Sequence, residues 1–367
     1  MKRIISKPVI SLHCSSEFVK FCIRKNTISI FAARFAFNFI LNLKKFYIYN
    51  IIYLNNLLKL IISLSIISIA GAAGVNAQEE VAAKRLFGFR AAPAPLEARA
   101  IGSYAKGCLA GGTSVEIDGP YWQVMRLSRN RNWGHPNLIK LVKKLANDAG
   151  EAGDWRGLLV GDLAQPRGGP MLSGHRSHQI GLDADIWLNE MPDRRLTRKE
   201  RQEISAVSVV NFKTNEVNRQ VWSDRTAKLI RRASRYPEVA RIFVNPIIKK
   251  ELCRMNWQDR SWLSKVRPWL GHHYHMHIRI SCPNGSTVCK NQAQPAAGDG
   301  CGEDLARWFR PPPKTDKKKP VKKRKPRPEL TLASLPNACR SVLNVAAKPF
   351  ATSAPKTTPP PRVKPRT

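Results

Sequence analysis

Six of the eight histidines in this 367-residue chain stand in two short segments, 173–188 and 272–280. The first segment reads SGHRSHQIGLDADIWL and adds two aspartates, and the second reads HHYHMHIRI. Histidines used only for packing would be scattered, so this clustering indicates chemistry. Two imidazoles and one carboxylate around a cation, with a fourth position open to water, are the pattern of a catalytic zinc site. Of the two remaining histidines, His13 and His135, the second is predicted to cap or pack at the start of a helix.

The second cluster has the two-residue period of a β-strand. Alternation predicts two faces. The imidazole face carries His273, His275, His277 and Arg279, and the apolar face carries Met276, Ile278 and Ile280. The apolar face should lie against a core, which leaves the imidazoles free to bind a metal. The alternative is a set of exposed surface histidines.

The first cluster predicts a turn followed by a strand. Asp183 and Asp185 should share one strand face, and His178 should precede them on a turn that Gly181 makes possible. Asp183 has two interpretations that the sequence leaves open: it orients a ligand histidine, or it makes a strand-edge hydrogen bond. Because both clusters have compatible strand geometry, exposed surface histidines are the weaker explanation.

The chain from about 100 to 310 reads as one globular domain. Apolar spacing predicts helices at 135–150 and 223–234, with Pro136 at the start of the first and Ser223 as the cap of the second. Strands are predicted at 155–164, 183–188, 240–246, where Pro246 should end the strand, and 273–280. Helices and strands mix without a regular βαβ rhythm, which predicts a single α+β domain with flanking helices around a small antiparallel sheet.

The N-terminal region reads as a leader. Residues 56–80 contain a lysine at the flank, an apolar run from Leu60 to Ala70 and the small-residue sequence Val75-Asn76-Ala77, which are the parts of a secretory signal. Cleavage is predicted after Ala77, so residues 1–77 form the leader and the protein is exported to the periplasm. A membrane anchor is the alternative, disfavoured because the apolar run is short. The first forty or so residues resemble upstream sequence read from a misassigned start.

The formal charge of +36 predicts an anionic partner. Nucleic acid, an anionic membrane surface and an acidic cell-wall polymer all fit such a charge. Residues 311–367 are rich in Pro, Lys and Arg, which cannot bury a core, so this tail should be mostly extended and solvated apart from Cys339. In an exported protein the tail fits association with anionic envelope surfaces, and no nucleic-acid partner is expected.

Export makes disulfides the expected state of the cysteines. Six remain after the leader, and they are Cys108, Cys253, Cys282, Cys289, Cys301 and Cys339. Spacing leaves the pairing open except in CPNGSTVC, residues 282–289, where a Pro-Asn-Gly turn makes a local loop plausible. A cysteine zinc cluster is disfavoured because no C-x-x-C pair occurs.

The motif H-x-x-G-x-x-x-D at 178–185, followed by H-x-H at 275–277, resembles the metallopeptidases grouped around lysostaphin, the D-Ala-D-Ala peptidases and the hedgehog domain. The flanking segments between 100 and 309, together with Cys339, narrow this resemblance to the penicillin-insensitive murein endopeptidases. The segments that carry it are AIGSYAKGCLAGG, YWQVMR, WGHPNL, GHRSHQIGLDADIWL, RIFVNPIIKKELC, WLSKVRPW and GDGCGEDLARWF.

The resemblance implies a zinc ion held by His178, Asp185 and His277. His175 matches a histidine beside the metal that is sometimes counted as a ligand. Some members carry an accessory Asp-x-x-His metal pair, but the matching residues here, 213–216, read KTNE. One zinc per chain is therefore expected. The disulfides implied by the resemblance are Cys108–Cys339, Cys253–Cys301 and Cys282–Cys289.

The resemblance also implies that His275 and His272 assist water attack and stabilise the oxyanion. No H-E-x-x-H occurs, so no glutamate base is expected, and His275, on the strand face of His277, is the best-placed imidazole. The implied reaction is hydrolysis of the D-alanyl–meso-diaminopimelyl cross-link of peptidoglycan, insensitive to β-lactams because no serine nucleophile motif is involved. A non-catalytic, zinc-bound wall-binding module is the alternative, disfavoured because His275 is present.

Overall fold

The computed structural model describes residues 56–59, 81–311 and 328–347. The chain divides into two compact units, Met1–Gly74 and Val75–Thr367. In the first unit the described residues form one helical turn at 56–59. The predicted cleavage site after Ala77 and most of the basic tail lie outside the described residues. In the part of the chain that is described, no helix is long and apolar enough to cross a membrane.

The helices of the second unit include both of the helices that the sequence predicts. The described helices are α1 (Ala83–Gly88), α2 (Pro136–Glu151), α3 (Arg198–Glu203), α4 (Asp224–Ser234), α5 (Pro246–Arg254), α6 (Glu303–Ala306) and α7 (Ala338–Asn344). The prediction for His135 is confirmed, because its Nδ1 caps α2 by accepting the Asn137 N–H at 3.2 Å. Pro246 begins α5, rather than only ending a strand, because its fixed φ suits the first helical turn and Asn245 caps it.

The strands of the second unit are mostly short. They are β1 (Arg99–Ser103), β2 (Lys106–Ala110), β3 (Thr113–Ser114), β4 (Asp118–Gly119), β5 (Trp122–Val124), β6 (Trp133–Gly134), β7 (Leu158–Val160), β8 (Asp183–Trp187), β9 (Val210–Asn211), β10 (Glu216–Val217), β11 (Val239–Val244), β12 (Val266–Pro268) and β13 (His275–Ile280). For the predicted strands, the observed strands lie within the predicted ranges and are shorter, except that β11 begins one residue before the predicted range 240–246.

Seven of these strands form one sheet, in the order β12-β11-β13-β8-β7-β5-β4. The α+β prediction is confirmed, but the sheet is mixed rather than purely antiparallel. The pairs β5–β7 and β11–β12 are parallel, whereas β11, β13, β8 and β7 pair antiparallel in turn. Parallel neighbours need a crossover connection. Helix α2 lies in the connection between β5 and β7, and α5 lies in the connection between β11 and β12.

The main core leaves one face of the two central strands to polar groups. It combines the apolar sides of α2, α4 and α5 with Ala184 and Ile186 of β8 and Met276 and Ile278 of β13. Side chains alternate along a strand, so the aspartates of β8 and the histidines of β13 lie on the opposite face of the sheet. The sheet therefore holds the two motif segments side by side, on the face away from the main core.

A second apolar cluster joins the ends of the described unit. Phe87 of α1, Ile101 of β1 and Val342 of α7 share it with the buried Cys108–Cys339 disulfide. The buried Arg167 guanidinium donates to the carbonyls of residues 342, 343 and 345, at the C-terminal end of α7. The packed residues thus extend on both sides of the range 100–310.

All three disulfides implied by the resemblance are present. Cys108–Cys339 joins residues 231 positions apart, Cys253–Cys301 joins residues 48 apart, and Cys282–Cys289 closes the short loop that its turn sequence indicates. Near the second of them, the buried Lys249 ammonium donates to the carbonyls of Leu263 and Asp299. The loop that leads to Cys301 is therefore fixed by a disulfide and by hydrogen bonds.

Candidate metal centre

The register between β8 and β13 brings the two motif segments together. His277 lies opposite Asp185, and Arg279 lies opposite Asp183 in this antiparallel pair. Directly opposed residues have side chains in contact on one face of a sheet. A carboxylate of the first cluster therefore meets an imidazole of the second.

The loop before β8 adds two more histidines to this face. Gly181 has φ +71°, and a Cβ there would lie 2.9 Å from the His135 backbone nitrogen, so the predicted glycine turn is confirmed. His178 itself has φ 67°, in the left-handed region, and its N–H donates to Asp183 Oδ2 at 2.9 Å. This folded-back loop aims the His178 ring into the site.

Asp185 is surrounded by four imidazoles. Its Oδ1 lies 3.2 Å from His277 Nδ1, 3.4 Å from His178 Nε2 and 3.6 Å from His275 Nε2. Its Oδ2 lies 3.4 Å from His175 Nε2. Ligands about 2.0–2.1 Å from a tetrahedral cation lie about 3.3 Å from one another. The observed spacing therefore suits donors that share one ion.

Unpartnered buried atoms support the same interpretation. Both ring nitrogens of His178 and Oδ1 of Asp185 are buried and have no hydrogen-bond partner among the described residues. Buried polar atoms without partners are costly, and a bound cation would satisfy Asp185 Oδ1 and one of the two His178 nitrogens. His175, His178 and Asp185 also each offer one donor atom within 4.8 Å of the others. The residues present thus fit a divalent metal ion.

Burial keeps several of these imidazoles neutral, the form that binds metals. Burial lowers the pKa of His178, which is fully enclosed. Burial also lowers the pKa of His275 to about 4, although Asp185 opposes the shift, and lowers that of His272 to about 4 with help from His277. His275 and His277 are only 7% and 4% exposed, which rules out exposed surface histidines.

His277 stands in a field that favours positive charge. Burial alone would lower its pKa, but Asp183 and Asp185 raise it to about 9. Burial would likewise raise the pKa of Asp185, yet His275 and His178 hold it well below its usual range. A cation beside His277, whether a proton or a metal ion, is therefore stabilised by two carboxylates.

Asp183 is buried behind His277 rather than at a strand edge. Its carboxylate accepts from Arg279 Nε at 2.7 Å and from Arg279 Nη2 at 3.2 Å. His277 Nε2 lies 3.0 Å from Asp183 Oδ1, close enough for an ion pair although the ring is not aligned for a hydrogen bond. Burial would raise the pKa of Asp183, but Arg279 and His277 hold it well below its usual range. The contacts support the interpretation that Asp183 orients a ligand histidine.

We expect Asp183→Ala to lower the free energy of unfolding by about 3–5 kcal/mol, because it leaves the buried Arg279 guanidinium without its negatively charged partner. Urea unfolding of the metal-free protein, with its disulfides intact, measures this cost apart from any loss of metal. Asp183→Asn is the matched variant and should cost less, since its amide oxygen still accepts from Arg279. A cost below about 1 kcal/mol for Asp183→Ala would contradict the structural role.

The other two histidines of the second cluster differ in position. The His272 ring lies 4.9 Å from that of His275, so it borders the site as the sequence predicts. His273 lies outside the site, with its ring 5.2 Å from that of Phe212. Its predicted place on the imidazole face is wrong because β13 begins at His275, after the left-handed backbone of His272 at φ 47°.

Asp162 is a site residue that the sequence analysis missed. Its Oδ2 lies 3.1 Å from His175 Nε2, and it accepts from Arg131 at 2.8 Å and from Arg129 at 3.0 Å. Burial would raise the pKa of Asp162, but His175 and the two arginines lower it. The sequence feature that could have identified Asp162 is its position just after the apolar strand β7. Asp162 holds His175 through Nε2, the same ring nitrogen that lies 3.4 Å from Asp185 Oδ2.

The site opens into a cleft of about 300 Å³. Its walls combine the candidate metal residues with side chains that the sequence analysis did not single out, namely Arg126, Arg129, Trp187, Ser205 and Tyr274. His175, Asp185 and His275 line the floor of the same cleft. A ligand in this space would contact the metal residues and a basic wall together.

At the place of the accessory pair, 213–216, the Glu216 carboxylate makes an ion pair with Lys250 Nζ at 2.7 Å. A carboxylate held by a lysine is a poorer metal ligand than one without a cationic partner. The expectation of one zinc per chain stays a prediction.

Comparison with known proteins agrees with the site. The family model described as penicillin-insensitive murein endopeptidase matches residues 100–344. A penicillin-insensitive murein endopeptidase of Haemophilus influenzae is 45% identical over 258 residues, which cover 69% of this chain and 86% of that protein. The proteins of the same name from Klebsiella pneumoniae and Escherichia coli are 41% and 39% identical, over 67% and 69% of this chain and 86% and 88% of their own lengths.

Proposed function

Because the chain belongs to the penicillin-insensitive murein endopeptidase family, whose members are metallopeptidases, we propose that it is a zinc endopeptidase of the periplasm. Its substrate is the D-alanyl–meso-diaminopimelyl cross-link of peptidoglycan. The single observation that carries the proposal is Asp185, a buried carboxylate with an unpartnered oxygen among four imidazoles, at the floor of an open cleft.

Zinc is the ion that these donors suit best. Imidazole nitrogens and one carboxylate oxygen are the ligands of catalytic zinc sites, which keep one position open. His178, Asp185 and His277 would hold the ion, with His175 beside them. When bound, the ion would polarise the scissile carbonyl and lower the pKa of the attacking water.

His275 is the residue of this chain placed to act on the reacting atoms. It lines the cleft, and its Nε2 is the most distant of the three imidazole nitrogens around Asp185 Oδ1. A pKa of about 4 lies far below neutral pH, which makes His275 a weak base but keeps its ring neutral. The low pKa favours a role in which a ring N–H donates a hydrogen bond to the oxyanion. The His272 ring lies 4.9 Å from that of His275, and His272 would assist it.

The N-terminal and C-terminal regions bear on where the protein acts. The signal-like segment at 56–80 supports export, and cleavage after Ala77 would deliver the metal centre to the peptidoglycan. The basic residues of 311–367 would associate with anionic envelope surfaces by charge alone, so this association should weaken as salt rises. No nucleic-acid partner is expected in that compartment.

The test is incubation of the purified mature protein with cross-linked muropeptide dimers. We expect conversion to monomers at the D-alanyl–diaminopimelate bond, loss of activity with a chelator, recovery with zinc, and no effect of a β-lactam. Elemental analysis should return one zinc per chain. Hydrolysis of glycan strands alone, inhibition by a β-lactam, or two zinc ions per chain would contradict the corresponding part of the proposal. Binding of the dimers without hydrolysis would instead favour a non-catalytic wall-binding module.

A further inference from the structure

The cleft has a basic wall that the proposed mechanism does not use. Arg126 and Arg129 line it on the side of β5 and β7, across from the histidines of β13. Arg129 already donates to Asp162 at 3.0 Å, so part of its charge is balanced. Arg126 has no such partner, because among the described residues its guanidinium makes neither an ion pair nor a hydrogen bond.

The backbone holds Arg126 at a fixed place on this wall. Its φ of 56° is in the left-handed region, which residues other than glycine seldom adopt. Its backbone N–H donates to the Arg201 carbonyl at 3.0 Å. Arg201 is itself buried and donates to the carbonyls of Leu196 and Ile117. Arg126 thus combines an unusual backbone conformation with a guanidinium that has no ion-pair partner among the described residues.

The Arg126 guanidinium contacts the ring of Trp187. The Arg126 Cζ lies 5.8 Å from the centre of the Trp187 ring, within the range of a cation–π contact. Trp187 is 6% exposed and packs with Met125 and Leu159 in a small apolar cluster, so the indole is fixed. A guanidinium in cation–π contact with a ring keeps its N–H edge free to bind a carboxylate with two hydrogen bonds. The Arg126 guanidinium is therefore available to a carboxylate from outside the described residues.

The position of this pair relative to Asp185 suits one group of the substrate. Trp187 follows Asp185 by two residues on the same strand face, so the Cα atoms of the two residues are about 7 Å apart. In the cross-link, the diaminopimelate carbon that bears the scissile nitrogen also bears a free carboxylate, about 3–4 Å from the scissile carbonyl carbon. A charge-assisted hydrogen bond spans about 2.8 Å more. The D-alanine on the acyl side carries only a methyl group, so the nearest carboxylate is on the leaving amine.

We propose that Arg126, in cation–π contact with Trp187, binds the carboxylate next to the scissile nitrogen and makes the enzyme selective for cross-links in which that carboxylate is free rather than amidated. This inference rests on the proposed function. Arg126 is a specificity residue, and it does not take part in bond cleavage.

The test compares two muropeptide dimers that differ only in this group, one with the free carboxylate and one with the carboxamide. We expect wild-type kcat/KM to be about 10- to 100-fold higher for the free carboxylate, the usual effect of a hydrogen bond to a charged group. Arg126→Gln should lose this preference by weakening the reaction of the free acid, mainly through KM, and should leave the amide unchanged. Arg126→Lys should recover part of the preference, because it restores charge without the two-pronged geometry.

Arg235→Gln is the matched control, because Arg235 is exposed at the end of α4 and lines a different cavity. It should leave the preference intact. Equal wild-type rates on both dimers, or an equal loss on both in Arg126→Gln, would overturn the inference while the proposed function stands. If wild type cleaves neither dimer, the proposed function fails and the inference fails with it. Should Arg126→Gln misfold, as thermal unfolding would show, the wild-type comparison and Arg126→Lys decide.

Discussion

His277→Ala should lose its metal and its activity together. The His277 Nδ1 lies 3.2 Å from Asp185 Oδ1, and its other nitrogen lies beside Asp183, which holds the ring in place. The side chain is 4% exposed, so its removal leaves a buried gap among charged groups. Zinc content by elemental analysis should fall to near zero, and turnover of muropeptide dimers should fall to the level of the chelated wild type.

His135→Ala is the matched control for this substitution. It removes an imidazole of similar burial that caps α2 and lies outside the metal centre. We expect it to cost about 1 kcal/mol of stability through the lost cap and to keep both zinc and activity. Full zinc content in His277→Ala would show that His277 is not a ligand.

His275→Ala should keep its zinc and lose turnover by about 10²–10⁴-fold, the scale on which a positioned proton donor or acceptor contributes. His275 shares the strand face of His277 and is displaced by two residues, towards Trp187 on the neighbouring strand. Only one of the two imidazoles can complete the ligand set while water keeps an open position. Because the His275 nitrogen is the more distant from Asp185 Oδ1, at 3.6 Å against 3.2 Å, we assign the ligand role to His277.

Measuring zinc and kcat on both variants separates the two roles. The effect of His275→Ala should appear in kcat rather than in KM, because an oxyanion contact is made only as the reaction proceeds. If His275→Ala loses its zinc while His277→Ala keeps it, the roles are exchanged. If both lose zinc, His275 is also a ligand and its separate action on the oxyanion is wrong.

The sequence alone determined the local elements and the chemical types of the site. The apolar spacing and Pro136 predict α2 almost to the residue, because helix starts and apolar faces are local properties. Residue type and two-residue alternation also place Asp185 and His277 on faces that could bind a metal, and the family resemblance singles out these two as ligands. The same alternation failed at His273, where a left-handed residue just before it ends the regular period.

Only the tertiary structure decided which of these groups meet. The register of β8 against β13 sets His277 opposite Asp185, and no spacing within either segment encodes that alignment. Asp162 joins His175 and Arg126 reaches Trp187 through contacts between separate strands and loops. The mixed sheet arises in the same way, since α2 and α5 return the chain to parallel neighbours. Periodicity specifies which face of an element is buried, whereas strand order and register depend on how all the buried faces pack together.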